Sequence, residues 1–339
     1  MGATPLDVSV VVPARNEARN IRALINCIEH QTVPAREVLV LDGCSTDGTW
    51  ESLQELAKTR PWLKPIRNED KTIPKALNAG FLQSKGIVVA RMDAHARYPP
   101  DYLETVIKTF MSHPEAWAVG SAMATVGEGD WGRAIASILR RSIGLGGSAH
   151  RIGGAAGPVE TVFSGCYLRE KVIEAGGFDD ALLANEDFEL NYRLRTRGGI
   201  LWLEPTLRSE WYAKDSPGAL VRQMARYGYY KALTLQRHPR SLRPRQLAPP
   251  AVAGLLLTSL ITRSQISVRL SAVYLAAAIA LGARAGSQDG ASPWRAGLTV
   301  PLVHLAWGGG VLAGLVRHGV PRAQRSATAS NSPRDRRAR

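Results

Sequence analysis

Asp93 and His95 stand two residues apart, just beyond the apolar run 86–90. Side chains of an extended segment alternate between its faces, so an Asp-x-His pair at a strand end presents a carboxylate and an imidazole on the same side. Those donors suit a divalent metal bridging a diphosphate. The pair also has an ordinary reading, since an aspartate and a histidine after a strand commonly do no more than solvate a loop. Its chemical reading gains weight from similar clusters after two earlier apolar runs: Pro13, Arg15 and Glu17 follow the first, and the turn-rich stretch from Asp42 to Thr49 follows the second.

The elements that must hold these clusters follow from the hydrophobic pattern. The β-branched run 8–13 ends in proline and reads as a buried parallel strand. Residues 20–28 carry apolar side chains at helical spacing, 37–41 form a second strand, helices are expected over 49–58 and 74–83, and 87–90 is a further strand. Repeated strand, turn and helix units imply an α/β sheet covered on both faces, with ligands at the carboxyl ends of its strands. A dinucleotide-dependent oxidoreductase is disfavoured, because the first strand runs into Pro13-Ala14-Arg15-Asn16-Glu17 instead of a glycine-rich phosphate turn.

Taken in order, Pro13-Ala14-Arg15-Asn16-Glu17, Asp42-Gly43-Cys44-Ser45-Thr46-Asp47-Gly48-Thr49, Ala76-Leu77-Asn78-Ala79-Gly80 and Asp93-Ala94-His95 resemble the family-2 glycosyltransferases of the GT-A fold. The resemblance continues through Gly165-Cys166, Gly176-Gly177-Phe178-Asp179, Asn185-Glu186-Asp187 and Gln223-Met224-Ala225-Arg226-Tyr227, about residues 7 to 235 in all. Asp93 through Pro100, with the apolar region beyond, looks most like the branch associated with succinoglycan-type exopolysaccharide synthesis. It implies a GT-A (Rossmann-like) domain that takes a sugar from a nucleotide-diphospho-sugar and inverts its anomeric carbon. The acceptor would be lipid-linked or a polysaccharide; transfer to polyprenyl phosphate is the alternative. A non-catalytic binding subunit is disfavoured by the presence of both Asp93 and Asp187.

On this resemblance, Pro13, Arg15, Glu17, Asp42, Asp93 and Arg226 bind the donor, and Asp187 is the base that takes the acceptor's proton. Gly165, Cys166, Glu186, Gln223 and Tyr227 belong to the acceptor side, and Asp93 with His95 holds Mn²⁺ or Mg²⁺. Each has a plainer role open to it. Asp42 and Asp47 can shape an Asx turn and cap the next helix; Asp187 can favour a helix N-terminus by charge alone; Arg226 can be a surface arginine. His95 departs from the family, which usually places a second aspartate there; imidazole suits Mn²⁺ better than Mg²⁺. Tyr227 stands where processive members carry tryptophan. Trp202, Trp211 and Tyr212 are candidate sugar platforms or core residues, and 131–139 reads as an amphipathic or buried helix.

Charge and composition set the surroundings. Lys and Arg number 43 against 29 Asp and Glu, a formal +14, which points to nucleic acid, an acidic membrane or anionic ligands. No nucleic-acid-binding pattern is present, and the basic residues cluster beside apolar segments near the C-terminus, so a membrane fits better. The three scattered cysteines, Cys27, Cys44 and Cys166, argue for a reducing compartment, and the first residues do not read as a signal peptide. Apolar runs at 248–262, 270–283 and 296–316 form a membrane region of two to three helices. Only the last reaches the ~20 residues of a clean span, so the first two could be a tilted or re-entrant hairpin, or all could be core helices. Arg237, Arg240, Arg243 and Arg245 place the preceding side in the cytoplasm by the positive-inside rule. The expected division is a cytoplasmic catalytic domain at 1–235, a basic linker at 236–247, the multi-pass membrane region at 248–317 and a basic disordered tail at 318–339.

Overall fold

The structure, a computed structural model, describes residues 6–145 and 149–320. The expected tail therefore lies outside the described residues, save for 318–320. Strands β1 (Val8–Ala14), β2 (Glu37–Asp42), β3 (Leu63–Arg67) and β4 (Val88–Arg91) alternate with helices α1 (Ile21–Glu29), α2 (Thr49–Ala57) and α3 (Ile73–Gln83). All six residues of β2 are buried, as expected of a parallel strand covered on both faces. Helix α1 turns Ile21, Leu24, Ile25 and Ile28 inward, the stripe its sequence spacing requires.

The chain steps outward from β1 through β2 to β3, then returns to lay β4 along the other side of β1. Helices α1 and α2 cover one face of the sheet while α3 covers the other. The carboxyl ends of β1 and β4 therefore border the place where the winding reverses, and a crevice opens there. That reversal makes neighbours of the two chemistry-bearing loops, those after Ala14 and after Arg91.

The second half completes the sheet with α4 (Tyr102–Ser112), β5 (Ala116–Val126), α5 (Gly129–Leu139), the short helices α6 (Ser142–Leu145) and α7 (Ala149–Ile152), β6 (Gly157–Pro158), β7 (Cys166–Leu168), α8 (Arg169–Glu174), α9 (Glu186–Thr196) and β8 (Ile200–Tyr212). Among the described residues the order is β3-β2-β1-β4-β7-β5-β8-β6. Strand β7 runs antiparallel between β4 and β5, so the sheet is mixed.

Helix α10 (Pro217–Arg237) leads to α11 (Ala248–Thr262), α12 (Gln265–Gln288) and α13 (Pro293–His318). Here the structure departs from the expectation of one clean span. Both α12 and α13 are long and apolar enough to cross a membrane, because α12 continues through Arg269 and Arg284, at which a reading by apolar runs stops. At 15 residues α11 falls short. Only 17% of the apolar window of α12 is buried, against 44% in α13. The exposed side chains include Leu260, Ile261, Ile266 and Val273, a surface that needs an apolar cover. Helix α5 is buried from Ala134 to Leu139 and shares an apolar cluster with α12 and α13, so it is a core helix. The linker carries 3₁₀ turns at Pro239–Ser241 and Pro244–Gln246.

Helix α13 lies against α10 at a seam of glycines. A Cβ on Gly228 would stand 2.0 Å from the Trp307 carbonyl oxygen, and one on Gly310 would stand 2.1 Å from that of Ala225. Any side chain at either position would force the helices apart.

Candidate active site

At the winding reversal, His95 Nδ1 lies 3.0 Å from Glu17 Oε1, which joins the loop after β1 to the loop after β4. That contact, with the nearby Asp93 carboxylate, raises the His95 pKa against the opposing effect of burial. Asp93 is held from three sides. Its Oδ1 accepts from Arg91 Nε at 3.0 Å, its Oδ2 accepts from Ser164 Oγ at 2.9 Å, and its backbone N–H donates to the Tyr98 hydroxyl at 2.8 Å. Burial works against its charge, but Arg91 and His95 prevail and lower its pKa.

Arg91 ends β4 and is 7% exposed. Its second arm donates to Glu186 Oε1 at 3.1 Å, so one guanidinium ties the strand-end aspartate to the start of α9. Burial alone would disfavour its charge; the carboxylates of Asp93, Glu186 and Asp187 overcome that and hold it protonated. Asn185, just before α9, takes the left-handed conformation at φ 63°, a turn an asparagine tolerates better than most residues, and anchors it by donating to the Tyr227 carbonyl at 2.9 Å. The turn brings Glu186 to Arg91 and sets Asp187 on the crevice wall. Burial and the Glu186 carboxylate push the Asp187 pKa up to about 6, opposed by Arg91. A carboxylate poised there can accept a proton near neutral pH.

These groups face a cavity of about 710 Å³ that extends from the strand ends to the apolar helices. Of the residues expected from sequence, Pro13, Arg15, Glu17, Asp93, His95, Glu186, Asp187, Gln223, Arg226 and Tyr227 line it. Gln223 Nε2 donates to the Tyr227 hydroxyl at 3.2 Å, and Arg226 donates to the Leu183 carbonyl. Trp211 and Tyr212 lie on the wall as well, whereas Trp202 stacks on His113 at 3.5 Å.

Three expected residues lie off the cavity wall. Asp42 is fully buried; its Oδ2 accepts from Arg67 Nη1 at 2.6 Å, while its Oδ1 has no partner among the described residues. Its neighbours Leu41 and Gly43 do reach the cavity. Cys166 is buried in β7 with its thiol 3.7 Å from the Tyr102 hydroxyl, and burial pushes that thiol up to about 12, which leaves it inert. Gly165 lies behind the wall, its carbonyl accepting from the Arg91 N–H. Asp47 serves the turn, with Oδ1 accepting from the Thr49 N–H. Asn78 clamps α3 to the 176–180 turn through Phe178 and Asp180.

Sequence reasoning missed Arg91, Ser164, Arg151 and Lys231. The Arg151 side chain lies 5.5 Å over the Trp211 ring, near Asp187, and its Nη1 has no hydrogen-bond partner among the described residues. Lys231 follows Gln223 and Tyr227 at intervals of four, so all three share one face of α10. That spacing was a usable signal, and Ser164 sits directly before the Gly165-Cys166 motif, whereas Arg91 and Arg151 offered none.

The fitness of the site for a metal rests on its donors. Glu17 takes His95 Nδ1 and leaves Nε2, while each Asp93 oxygen accepts one hydrogen bond and keeps a further lone pair. Among the described residues no cluster of three or more protein ligands occurs. Two protein donors fit a cation whose other ligands come from phosphate oxygens and water.

A mixed sheet with its crevice at the winding reversal is the arrangement of a GT-A-like fold. The Glycosyl transferase family 2 model matches residues 9–166. Over 307 residues the chain is 30% identical to the succinoglycan biosynthesis protein ExoA of Rhizobium meliloti (strain 1021), covering 89% of this chain and 92% of that protein. It is 27% identical over 239 residues to the dolichyl N-acetyl-alpha-D-glucosaminyl phosphate 3-beta-D-2,3-diacetamido-2,3-dideoxy-beta-D-glucuronosyltransferase of Methanococcus voltae, covering 68% of this chain and 74% of that one. The solved mannosyltransferase PcManGT of Pyrobaculum calidifontis, in complex with GDP-Man and Mn²⁺, shares the fold with a TM-score of 0.58 at 22% identity, over 90% of this chain and 88% of that one. The chain belongs to glycosyl transferase family 2 and is a glycosyltransferase.

Proposed function

We propose that the enzyme moves a sugar, with inversion, from a nucleotide-diphospho-sugar onto a lipid-linked saccharide at the cytoplasmic face of a membrane. One observation carries this reading: the cavity that begins at Asp93 and His95 ends against Val303, His304 and Trp307 of α13, a helix long and apolar enough to span a bilayer. Donor chemistry and an apolar scaffold share one chamber.

The nucleoside would lie at the β1 and β2 ends, beside Pro13, Arg15, Leu41 and Gly43, with Asp42 Oδ1, which has no partner among the described residues, behind them. Held by Asp93 and His95, a divalent cation would neutralise charge on the departing diphosphate; PcManGT, solved with Mn²⁺ and GDP-Man, lends support. As the acceptor oxygen bonds to the anomeric carbon and the bond to the diphosphate breaks, Asp187 takes the acceptor's proton. Arg91 keeps Asp93 and Glu186 in place and restrains the Asp187 pKa. A base matters for a hydroxyl acceptor; a polyprenyl phosphate oxygen is already ionised at neutral pH. The poised Asp187 therefore favours a sugar hydroxyl over direct transfer to polyprenyl phosphate. Arg240, Arg243 and Arg245 before α11 favour the cytoplasmic side.

The test incubates detergent-solubilised protein with a panel of nucleotide sugars, Mn²⁺ or Mg²⁺ and a membrane lipid extract. Sugar should be incorporated with inverted configuration, and a chelator should stop it. Retained configuration, or full activity in chelator, would overturn the mechanism.

A further inference from the structure

At the far end of the cavity, Lys231 is 3% exposed, and its ammonium has no hydrogen-bond partner among the described residues. It lies 3.9 Å over the Phe188 ring, next to the residue we assign as the base. Burial, with the nearby Arg243 charge, pushes its pKa down to about 7, against the opposing pull of the Glu160 carboxylate. A buried ammonium with no hydrogen-bond partner among the described residues and only the distant Glu160 carboxylate to offset it is costly, so replacing it with an apolar residue would be favourable unless a ligand uses it. Two further cations, Arg243 and Arg245, share this end of the cavity, and a single carboxylate, Glu160, faces both of them. Two arginines against one carboxylate leave a surplus of positive charge, to which Lys231 adds when protonated. The same stretch of wall includes Pro249 of α11 and Trp307 of α13, so the surplus stands where an apolar chain could leave the cavity.

We infer that Lys231, with Arg243 and Arg245, forms a second anion site that holds the phosphate or diphosphate of the lipid carrier, separate from the donor diphosphate site at Asp93 and His95. This inference rests on the reading of a lipid-linked acceptor and supplies the group that recognises it. Lys231 follows Tyr227 by one helical turn, so a bound carrier phosphate would place the attached sugar toward Asp187 and the donor. The ammonium, without a hydrogen-bond partner among the described residues, would gain charge-assisted hydrogen bonds to phosphate oxygens. The role is one of binding: Lys231 sets acceptor affinity and leaves the chemistry to Asp187.

The probe is farnesyl diphosphate, titrated against the full chain in detergent by calorimetry in the presence of chelator, which removes metal-dependent binding at Asp93. Wild type should bind it, Lys231→Met should bind about tenfold more weakly or worse, as expected for a lost charge-assisted hydrogen bond, and Lys231→Arg should recover most of the affinity. Farnesol should bind wild type and Lys231→Met alike, and inorganic pyrophosphate should bind wild type more weakly than farnesyl diphosphate does. Nucleotide-sugar binding with metal restored should be the same in all three proteins, which verifies their folding. Equal farnesyl diphosphate affinity in wild type and Lys231→Met would overturn the anion site. Pyrophosphate binding as tight as farnesyl diphosphate would overturn the lipid assignment. Transfer to lipid in wild type with unchanged farnesyl diphosphate binding in Lys231→Met would sink this site and leave the proposed function standing. Charge-dependent binding with no transfer from any donor would do the reverse.

Discussion

The two ends of the cavity are built by different means. At the donor end, short loops follow buried parallel strands, and each functional group sits within a few residues of its strand: Glu17 after β1, Asp93 and His95 after β4. At the other end, the groups come from α10, the linker and α13, and they meet only because helices pack. The first end depends on sheet topology and the second on the glycine seam. Damage to one should therefore be separable from damage to the other.

The largest expected effect falls where the two ends meet. Asp187→Asn should lower kcat/KM by roughly 10²- to 10⁴-fold, the usual contribution of a general base, while titration with nucleotide sugar finds donor affinity unchanged. Its stability should move the opposite way. Because the folded-state pKa of Asp187 is raised, from 3.8 to about 6, its protonated form favours folding fully below pH ~4 and that advantage is lost as pH rises through about 6. At pH 8 the asparagine variant should melt at a higher temperature than wild type; a lower Tm would contradict the buried, charge-opposed setting described here.

Next is the donor end. Arg91→Met leaves the Asp93 and Glu186 carboxylates without their shared cation and should cost about 3–5 kcal/mol of stability, as for other broken buried pairs; denaturant unfolding measures it. The seam comes third. Gly310→Leu should wedge α10 from α13 and cost about 1–3 kcal/mol, and transfer should fall while donor affinity persists. Loss of donor affinity in that variant would break the comparison. In wild type, kcat/KM should decline as pH falls below about 6, tracking protonation of Asp187. The smallest change is His95→Asp, which should shift metal preference toward Mg²⁺ in a metal-titration assay, since that ion favours oxygen ligands.

The same division governs what the sequence made legible. The strand-end clusters could be read because an apolar run followed by polar residues is a local pattern, and the topology rule then says where ligands bind. The place of Asp187 on the cavity wall was legible through motif order. Arg91 was not, since an arginine closing an apolar strand looks like a solvated end; its burial depends on Glu186, 95 residues away. Asp42 and Cys166 looked like pocket residues by motif but lie off the wall, because alternation along a strand turns some side chains into the sheet's packing layers. Helix α12 was read as too short because Arg269 and Arg284 interrupt its apolar run without interrupting the helix. Lys231 combined a legible spacing with an illegible environment, since its burial without a hydrogen-bond partner among the described residues exists only in the folded protein.

The central claim is that both ends act as one chamber serving a lipid-linked acceptor. Its most direct test follows labelled sugar from a nucleotide donor in the presence of membrane lipid extract, comparing label in the organic phase with free sugar in water. Wild type should send label into the organic phase, and Gly310→Leu should lose that label while still binding donor. Label that stays in the aqueous phase with wild type, as free sugar or soluble saccharide, would contradict the account.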